Sequence, residues 1–248
     1  MWWLVACTPK IPPEAEGSGW SVRYLDVGPG LSGLTVDGEG RLWAVAERPS
    51  ALVRLDDGHT VTLGLPAEPE SVAWTPEGFW IGTESPHERT ADWVFRVSQA
   101  GEILDRRTYT YEGIVPQPNH GLEGLCIRDG QPVVAGEDPD ERRRAPVAMV
   151  PGETRWLQLR SETGKVSGLA CDDRHLYAIE RHYDVLQILR APWSDLEATV
   201  VLDVPAAGRG SRVNYEGLAL HEGRLILVSD NQGSTVDGPT VLLSIDRL

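Results

Sequence analysis

Apolar residues along this chain fall at every second position in short runs, and each run is bounded by Gly, Asp, Pro or Asn. Such alternation predicts strands, and the boundary residues predict tight turns. Five segments share one template: an acid or hydroxyl residue, a small residue, an alternating strand, a Gly or Asp turn, a second apolar strand and a closing acid. They run from Ser32 to Glu47, Glu70 to Glu84, Glu123 to Glu137, Ser167 to Glu180 and Glu216 to Asp230. The interval from first residue to closing acid is 13–15 residues in every unit, so the units are repeats of one supersecondary element. The turns between strands one and two are Asp37-Gly38-Glu39-Gly40, Pro76-Glu77-Gly78, Asp129-Gly130, Asp172-Asp173 and Glu222-Gly223.

Third strands are predicted at Leu52–Leu55, Trp93–Arg96, Val147–Val150, Val185–Ile188 and Val241–Ile245. Fourth strands are predicted at Thr60–Leu65, Leu104–Tyr111, Thr154–Leu159 and Ala198–Val204. Helical periodicity competes nowhere; only Trp193–Glu197 suggests a turn of helix. The fifth unit ends at Leu248 without a fourth strand, while Trp20–Leu25 precedes the first unit with no partner. Joining the two removes an open sheet edge. The predicted fold is an all-β, five-bladed β-propeller of four-stranded antiparallel blades, with the N-terminal strand closing the last blade.

In such a ring strand one lines the central channel and strand two runs antiparallel beside it. The first residues of the five units (Ser32, Glu70, Glu123, Ser167 and Glu216) are then expected around one mouth of the channel. The closing acids Glu47, Glu84, Glu137, Glu180 and Asp230 form a second ring beside them. Converging carboxylates repel one another unless protons or a cation compensate. A hard cation with oxygen ligands fits best, and Ca²⁺ accepts six to eight oxygens in flexible geometry. The alternative is that these side chains cap turns and hold loop amides. The same mouth collects Arg48, Arg181, Arg212, His120 and Asn214 from loops and lead-ins, and these could face a phosphate, which Arg clamps with paired hydrogen bonds. The run Arg142–Arg144 beside Asp138, Asp140 and Glu141 reads as a loop that neutralises itself.

Net charge changes the picture of partners. At -14 the chain repels nucleic acid and favours a metal cation. Lys10 and Lys165 are the only lysines. No G-x-S-x-G, H-E-x-x-H or Walker loop occurs, which leaves metal-assisted hydrolysis as the route for any hydrolase. Cys126 and Cys171 sit in apolar strands without metal or redox spacing; buried thiols are expected, with a disulfide between them left open. Leu4-Val5-Ala6-Cys7 matches a lipoprotein cleavage site, so residues 1–7 read as a signal remnant, 8–19 as a tether and 20–248 as the propeller domain. The expected location is extracytoplasmic, as a bacterial lipoprotein held to the membrane only through Cys7, or secreted. The expected state is a monomer.

Two stretches, Asn119-His120-Gly121-Leu122-Glu123-Gly124-Leu125 and Asn214-Tyr215-Glu216-Gly217-Leu218-Ala219-Leu220, give the chain a family likeness. It resembles the bacterial phytase-like propellers, a family described by an esterase-like activity of phytase, and that resemblance implies phosphoester hydrolysis. The order Ser32, Glu70, Glu123, Ser167, Glu216 is also similar to the axial Ca²⁺ ligands of the calcium-activated nucleotidases, or apyrases. Two functions follow as expectations. One is a calcium-dependent hydrolase of phosphate esters or anhydrides, with Glu47, Glu180 or Asp230 as base and a small phosphorylated substrate. The other is a non-enzymatic docking propeller pinned by a structural calcium.

Overall fold

The computed structural model describes residues 15–17, 19–28, 30–84, 87, 90–182, 185–204, 213–230 and 239–246, and none of these is helical. The chain opens with β1 (Ala15–Gly17) and β2 (Trp20–Leu25). Blade 1 is β3 (Leu31–Val36), β4 (Leu42–Ala46), β5 (Ala51–Arg54) and β6 (Thr60–Thr62). Blade 2 is β7 (Glu68–Thr75), β8 (Gly78–Glu84), β9 (Ala91–Val97) and β10 (Ile103–Thr110). Blade 3 is β11 (Gly124–Arg128), β12 (Gln131–Ala135), β13 (Arg144–Met149) and β14 (Thr154–Gln158). Blade 4 is β15 (Lys165–Cys171), β16 (His175–His182), β17 (Val185–Pro192) and β18 (Thr199–Asp203). Blade 5 is β19 (Asn214–His221), β20 (Arg224–Asp230) and β21 (Thr240–Asp246), completed by β2.

The inner strands pack in sequence, β3 on β7, β7 on β11, β11 on β15, β15 on β19 and β19 back on β3, so the ring is closed. Closure uses the N-terminal strand as the pattern predicts. Trp20 pairs with Ile245 and Leu25 with Thr240 in antiparallel register. The expected tether contributes one element of its own: Ala15–Gly17 pairs with β2 and gives blade 5 a fifth, outermost strand. At Trp193–Glu197 the suggested helical turn is a turn between β17 and β18, closed by Leu196 N–H donating to the Pro192 carbonyl at 3.0 Å.

Five separate apolar clusters hold the fold, one in each seam between blades. Alternation along strand two explains this. In β4, Trp43 and Val45 pack toward blade 2, whereas Ala44 and Ala46 pack toward blade 5. Both faces of a blade are therefore buried, and its middle strands read as continuous apolar runs. The outermost strands have one exposed face, as in β10. The small residue of the template has a steric cause. A Cβ on Gly168 would lie 2.9 Å from the Glu216 carbonyl oxygen, and one on Gly217 would lie 2.8 Å from the Gly33 carbonyl carbon. Neighbouring inner strands approach too closely there for a side chain.

Cys126 and Cys171 form a disulfide with Cα atoms 5.9 Å apart, joining inner strands β11 and β15 across the seam of blades 3 and 4. The expectation of inert thiols is corrected: the two apolar strands that bury them are themselves neighbours in the ring.

Candidate functional site

Bulges place the inner ring. In four blades the register between strands one and two slips near the first template residue, between Ser32 and Leu34, Pro69 and Ser71, Val166 and Gly168, and Tyr215 and Gly217. An extra residue on one strand twists it and re-aims side chains, which bulges commonly do beside functional sites. Ser32, Glu70, Glu123 and Ser167 are all buried.

The pairing register also decides which residues form the outer ring. Leu34, Val72, Leu125, Leu169 and Leu218 pair with Ala44, Ile81, Val134, Ala178 and Leu227. Three residues beyond these partners stand Glu47, Glu84, Glu137, Arg181 and Asp230. Each leans toward the following blade. Glu47 meets Glu68 and Glu70 of blade 2, Glu137 meets Lys165 of blade 4, and Arg181 meets Glu216 of blade 5. The outer position of blade 4 is therefore Arg181 and not Glu180.

Glu180 lies one residue earlier, on the opposite face. It is fully buried and accepts hydrogen bonds from the backbone amides of Arg160 and Ser161, from Ser161 Oγ and from Gln187 Nε2. The structure thus gives Glu180 the loop-holding role and does not bring it to the ring. Ser167 is tied elsewhere as well, its Oγ donating to the Tyr215 carbonyl at 3.0 Å.

Glu47, Glu216 and Asp230 can present one oxygen each within 4.8 Å of one another, and so can Glu47, Glu68 and Glu70. Ser32 Oγ lies 3.2 Å from both Glu47 Oε1 and Glu216 Oε2. Asn214 Nδ2 donates to Glu216 Oε1 at 2.6 Å and to Asp230 Oδ2 at 3.3 Å. Two ionised carboxylates at such separations repel by about 3 kcal/mol for an effective dielectric of about 20. Burial adds to this, and the acid strengths respond. Burial, then the neighbouring Glu123, pushes Glu70 well up; burial, then Glu137, does the same to Glu123. Burial and the Asp230 charge raise Glu47. Glu216 rises to about 8 through burial, although Arg181 opposes the shift. Glu47 and Glu216 in the first triad, and Glu47 and Glu70 in the second, resist ionisation together, and each triad is a donor set suited to a hard cation.

The cations divide unevenly. Arg48 is exposed and forms a double-pronged pair with Glu68 at 2.6 and 2.9 Å. Arg181 Nη2 donates to Glu216 Oε1 at 2.9 Å. Arg212 and Cys7 lie outside the described residues. His120 follows Asn119, whose φ of 59° makes the tight turn that presents the ring. Its Nδ1 lies 2.8 Å from Asp138 Oδ1 and 3.6 Å from Glu137 Oε2. The Asp138 hydrogen bond raises the His120 pKa above its ordinary value. Asp138 is held low, because its bonds to His120 and the Gln117 amide outweigh burial. Asp138 thus belongs to the mouth, while Asp140 and Arg144 form the self-neutralised pair expected of that loop.

Lys165 completes the cluster, and sequence reasoning passed over it. Its Nζ is 3.0 Å from His120 Nδ1, 3.2 Å from His120 Nε2 and 3.4 Å from Glu137 Oε1. The available signal was its rarity and its place two residues before Ser167 at the head of an inner strand.

Comparison with solved structures places the fold among known propellers. Myxococcus xanthus glutaminyl cyclase is similar over 90% of this chain and 93% of its own, with 16% identity and a TM-score of 0.60. The PQQ-bound aldose sugar dehydrogenase of Streptomyces coelicolor is similar over 94% and 100%, with 11% identity and a TM-score of 0.53. At such identities the likeness is one of fold. No curated protein sequence matches the chain. The family profile described as "Phytase-like: Esterase-like activity of phytase" matches residues 49–233, which take in the whole of blades 2 to 4, parts of blades 1 and 5 and both Asn-led motifs. The chain belongs to this phytase-like family.

Proposed function

We propose that the protein is an extracytoplasmic, calcium-dependent hydrolase of phosphate esters or anhydrides. The observation that carries the reading is the pair of carboxylate triads that share Glu47, one with Glu216 and Asp230 and one with Glu68 and Glu70, with Arg181 in contact with Glu216. Glu70, Glu123 and Glu216, with Ser32, would hold the ion from the inner ring, and Glu47 joins them from the outer one. Bound there, Ca²⁺ would neutralise the carboxylates and polarise a phosphoryl oxygen.

The chain's own residues supply the rest. Asp230, positioned by Asn214, is the base that takes a proton from the attacking water. Arg181 balances the charge that develops on the phosphoryl oxygens. His120 and Lys165 line the same mouth. The Cys126–Cys171 disulfide supports the extracytoplasmic assignment, since such bonds persist in oxidising compartments. The lipoprotein anchor at Cys7 remains part of the proposal.

Phosphate release from nucleotides, phytate and aryl phosphates, measured with calcium and with chelator, tests the reading. Calcium-dependent release that is lost in Glu123→Gln supports it. Absence of calcium-dependent release from every substrate refutes it and leaves a calcium-pinned binding propeller as the better account.

A further inference from the structure

A cavity lies away from the carboxylate rings, toward the other end of the channel. Asn214 and Asp230 pair at the mouth end of the β19–β20 hairpin, and His221 and Arg224 pair at its turn end. Against that turn, in the seam of blades 5 and 1, the cavity has a volume of about 540 Å³. Strand lengths explain it. Blade 1 brings only four and three residues in β5 and β6 against seven and six in β21 and β2, so the seam is left partly unfilled. The β3–β4 turn adds no side chain at Gly40, which has a φ of 80°, and a Cβ there would lie 3.4 Å from His221 Cε1. The floor is apolar: Leu25, Leu42, Leu55, Ile226 and Leu242 all belong to the cluster of this seam. Most charges on the rim are already answered. Arg41 bonds Asp37 at 2.7 Å and Glu39 at 2.8 Å, Arg224 bonds Asp246 at 2.9 Å, and Asp56 pairs with Arg54 at 3.0 Å. Glu222 is exposed, and water screens its charge. Arg23 is the exception, for among the described residues it has no hydrogen bond and no ion pair. His221 Nε2 stands 4.0 Å from Glu222 Oε2, beyond hydrogen-bond distance, and Ser244 offers a hydroxyl from β21.

We propose that this cavity binds a small organic acid with an apolar body and a single negative charge, its head group on Arg23. Small-molecule sites of about 300–1,000 Å³ combine an apolar lining with a few polar groups that fix orientation, and this cavity has both. The leucine and isoleucine floor takes the body. One unanswered guanidinium calls for one charge: a dianion would bring a second charge with no partner, and a neutral ligand would leave Arg23 unused. Arg meets a carboxylate or sulfonate with paired hydrogen bonds. In a chain of net charge -14, an unpaired cation beside apolar surface is where such an anion is held. The site does not touch the carboxylate rings, so it stands whether or not the protein is a hydrolase.

The test follows the fluorescence of 8-anilino-1-naphthalenesulfonate, a monoanion with an apolar body, and of its neutral analogue N-phenyl-1-naphthylamine. The proteins are the parent, Arg23→Gln, Arg23→Lys and Ser244→Phe. The parent should bind the anionic probe more tightly than the neutral one, and decanoate should displace it. Arg23→Gln should weaken the anionic probe about 10-fold, the loss expected for one charge-assisted contact at an exposed rim, and leave the neutral probe unchanged. Arg23→Lys should recover part of that loss. Ser244→Phe fills the cavity from β21 and should weaken both probes. Melting temperatures equal to the parent's show that the variants are folded; should Ser244→Phe fail to fold, the exposed Arg23→Gln decides alone. Binding of the anionic probe by Arg23→Gln equal to the parent's overturns the proposal, because it puts the head group elsewhere. A parent that binds neither probe, or binds the neutral one as tightly as the anionic one, overturns it as well.

Discussion

Removing the disulfide should destabilise the ring by an amount that its position allows one to work out. Cys126 and Cys171 are 45 residues apart in sequence, and their bond crosses the seam between blades 3 and 4. Without it, that seam keeps its apolar cluster, in which Cys126 packs with residues such as Val133, Leu157, Val166 and Leu169, and polar bridges such as Arg155 Nη1 donating to the Trp193 carbonyl. In the chain-entropy account, a cross-link closing a loop of this length lowers the entropy of the unfolded chain enough to stabilise the fold by about 4 kcal/mol. For a domain of this size each kcal/mol moves the melting temperature by about 2–4 °C, so the expected loss is roughly 8–16 °C. The perturbation is the double variant Cys126→Ala, Cys171→Ala, since alanine leaves little steric change in either strand. Thermal melting followed by circular dichroism should show the drop, and the parent melted with dithiothreitol should fall toward the double variant. Thiol titration of the denatured, unreduced parent should find neither cysteine free. Two titratable thiols, or a melting temperature within about 2 °C of the parent's in the double variant, would refute the cross-link and the stability assigned to it.

Deleting residues 1–25 removes β2 and leaves the edge of β21 open. Val22, buried in the seam of blades 4 and 5, alone contributes about 2 kcal/mol, so the truncated chain should lose several kcal/mol and unfold over a broader range; an unchanged cooperative melt would contradict closure by this strand. A pH series on chelator-treated protein probes the carboxylate ring. The folded-state pKa values of Glu47, Glu70, Glu123, Glu137 and Glu216 are raised above their ordinary value near 4.5, so the stability linked to their protons is fully present below that value and lost as pH rises toward about 8. The melting temperature should therefore fall between pH 5 and pH 8 in chelator, and calcium should flatten that fall. Glu216→Gln should reduce the slope in chelator, and an identical slope with and without calcium would count against a cation at this ring.

Much of this architecture could be read directly from the chain because a propeller repeats one strand pattern with both faces buried. Turn residues fix where each hairpin reverses, and a terminal strand with no local partner points to the opposite end of the chain. The site was less legible, and Glu180 shows why. Fourteen residues, the interval in the units that start at Glu70, Glu123 and Glu216, lead from Ser167 to Arg181 and not to Glu180, and an error of one residue moves a side chain to the other face of its strand. Requiring an acid at that place selects Glu180, whereas the pairing of Leu169 with Ala178 gives the place to Arg181. The substitution has electrostatic sense. Where Glu47 and Glu84 follow the template, they stand beside Glu70 and Glu123, whose ionisation they oppose. At the junction of blades 4 and 5 the same position carries a guanidinium 2.9 Å from Glu216. The repeat therefore builds five equivalent positions, and one of them has the opposite sign. Together with Lys165, its partner across the pair, that reversal turns a symmetrical acidic ring into a site with a cationic side and an anionic side. The cation and the anionic substrate of the proposed function would then lie next to each other, which a uniform ring of carboxylates would not allow.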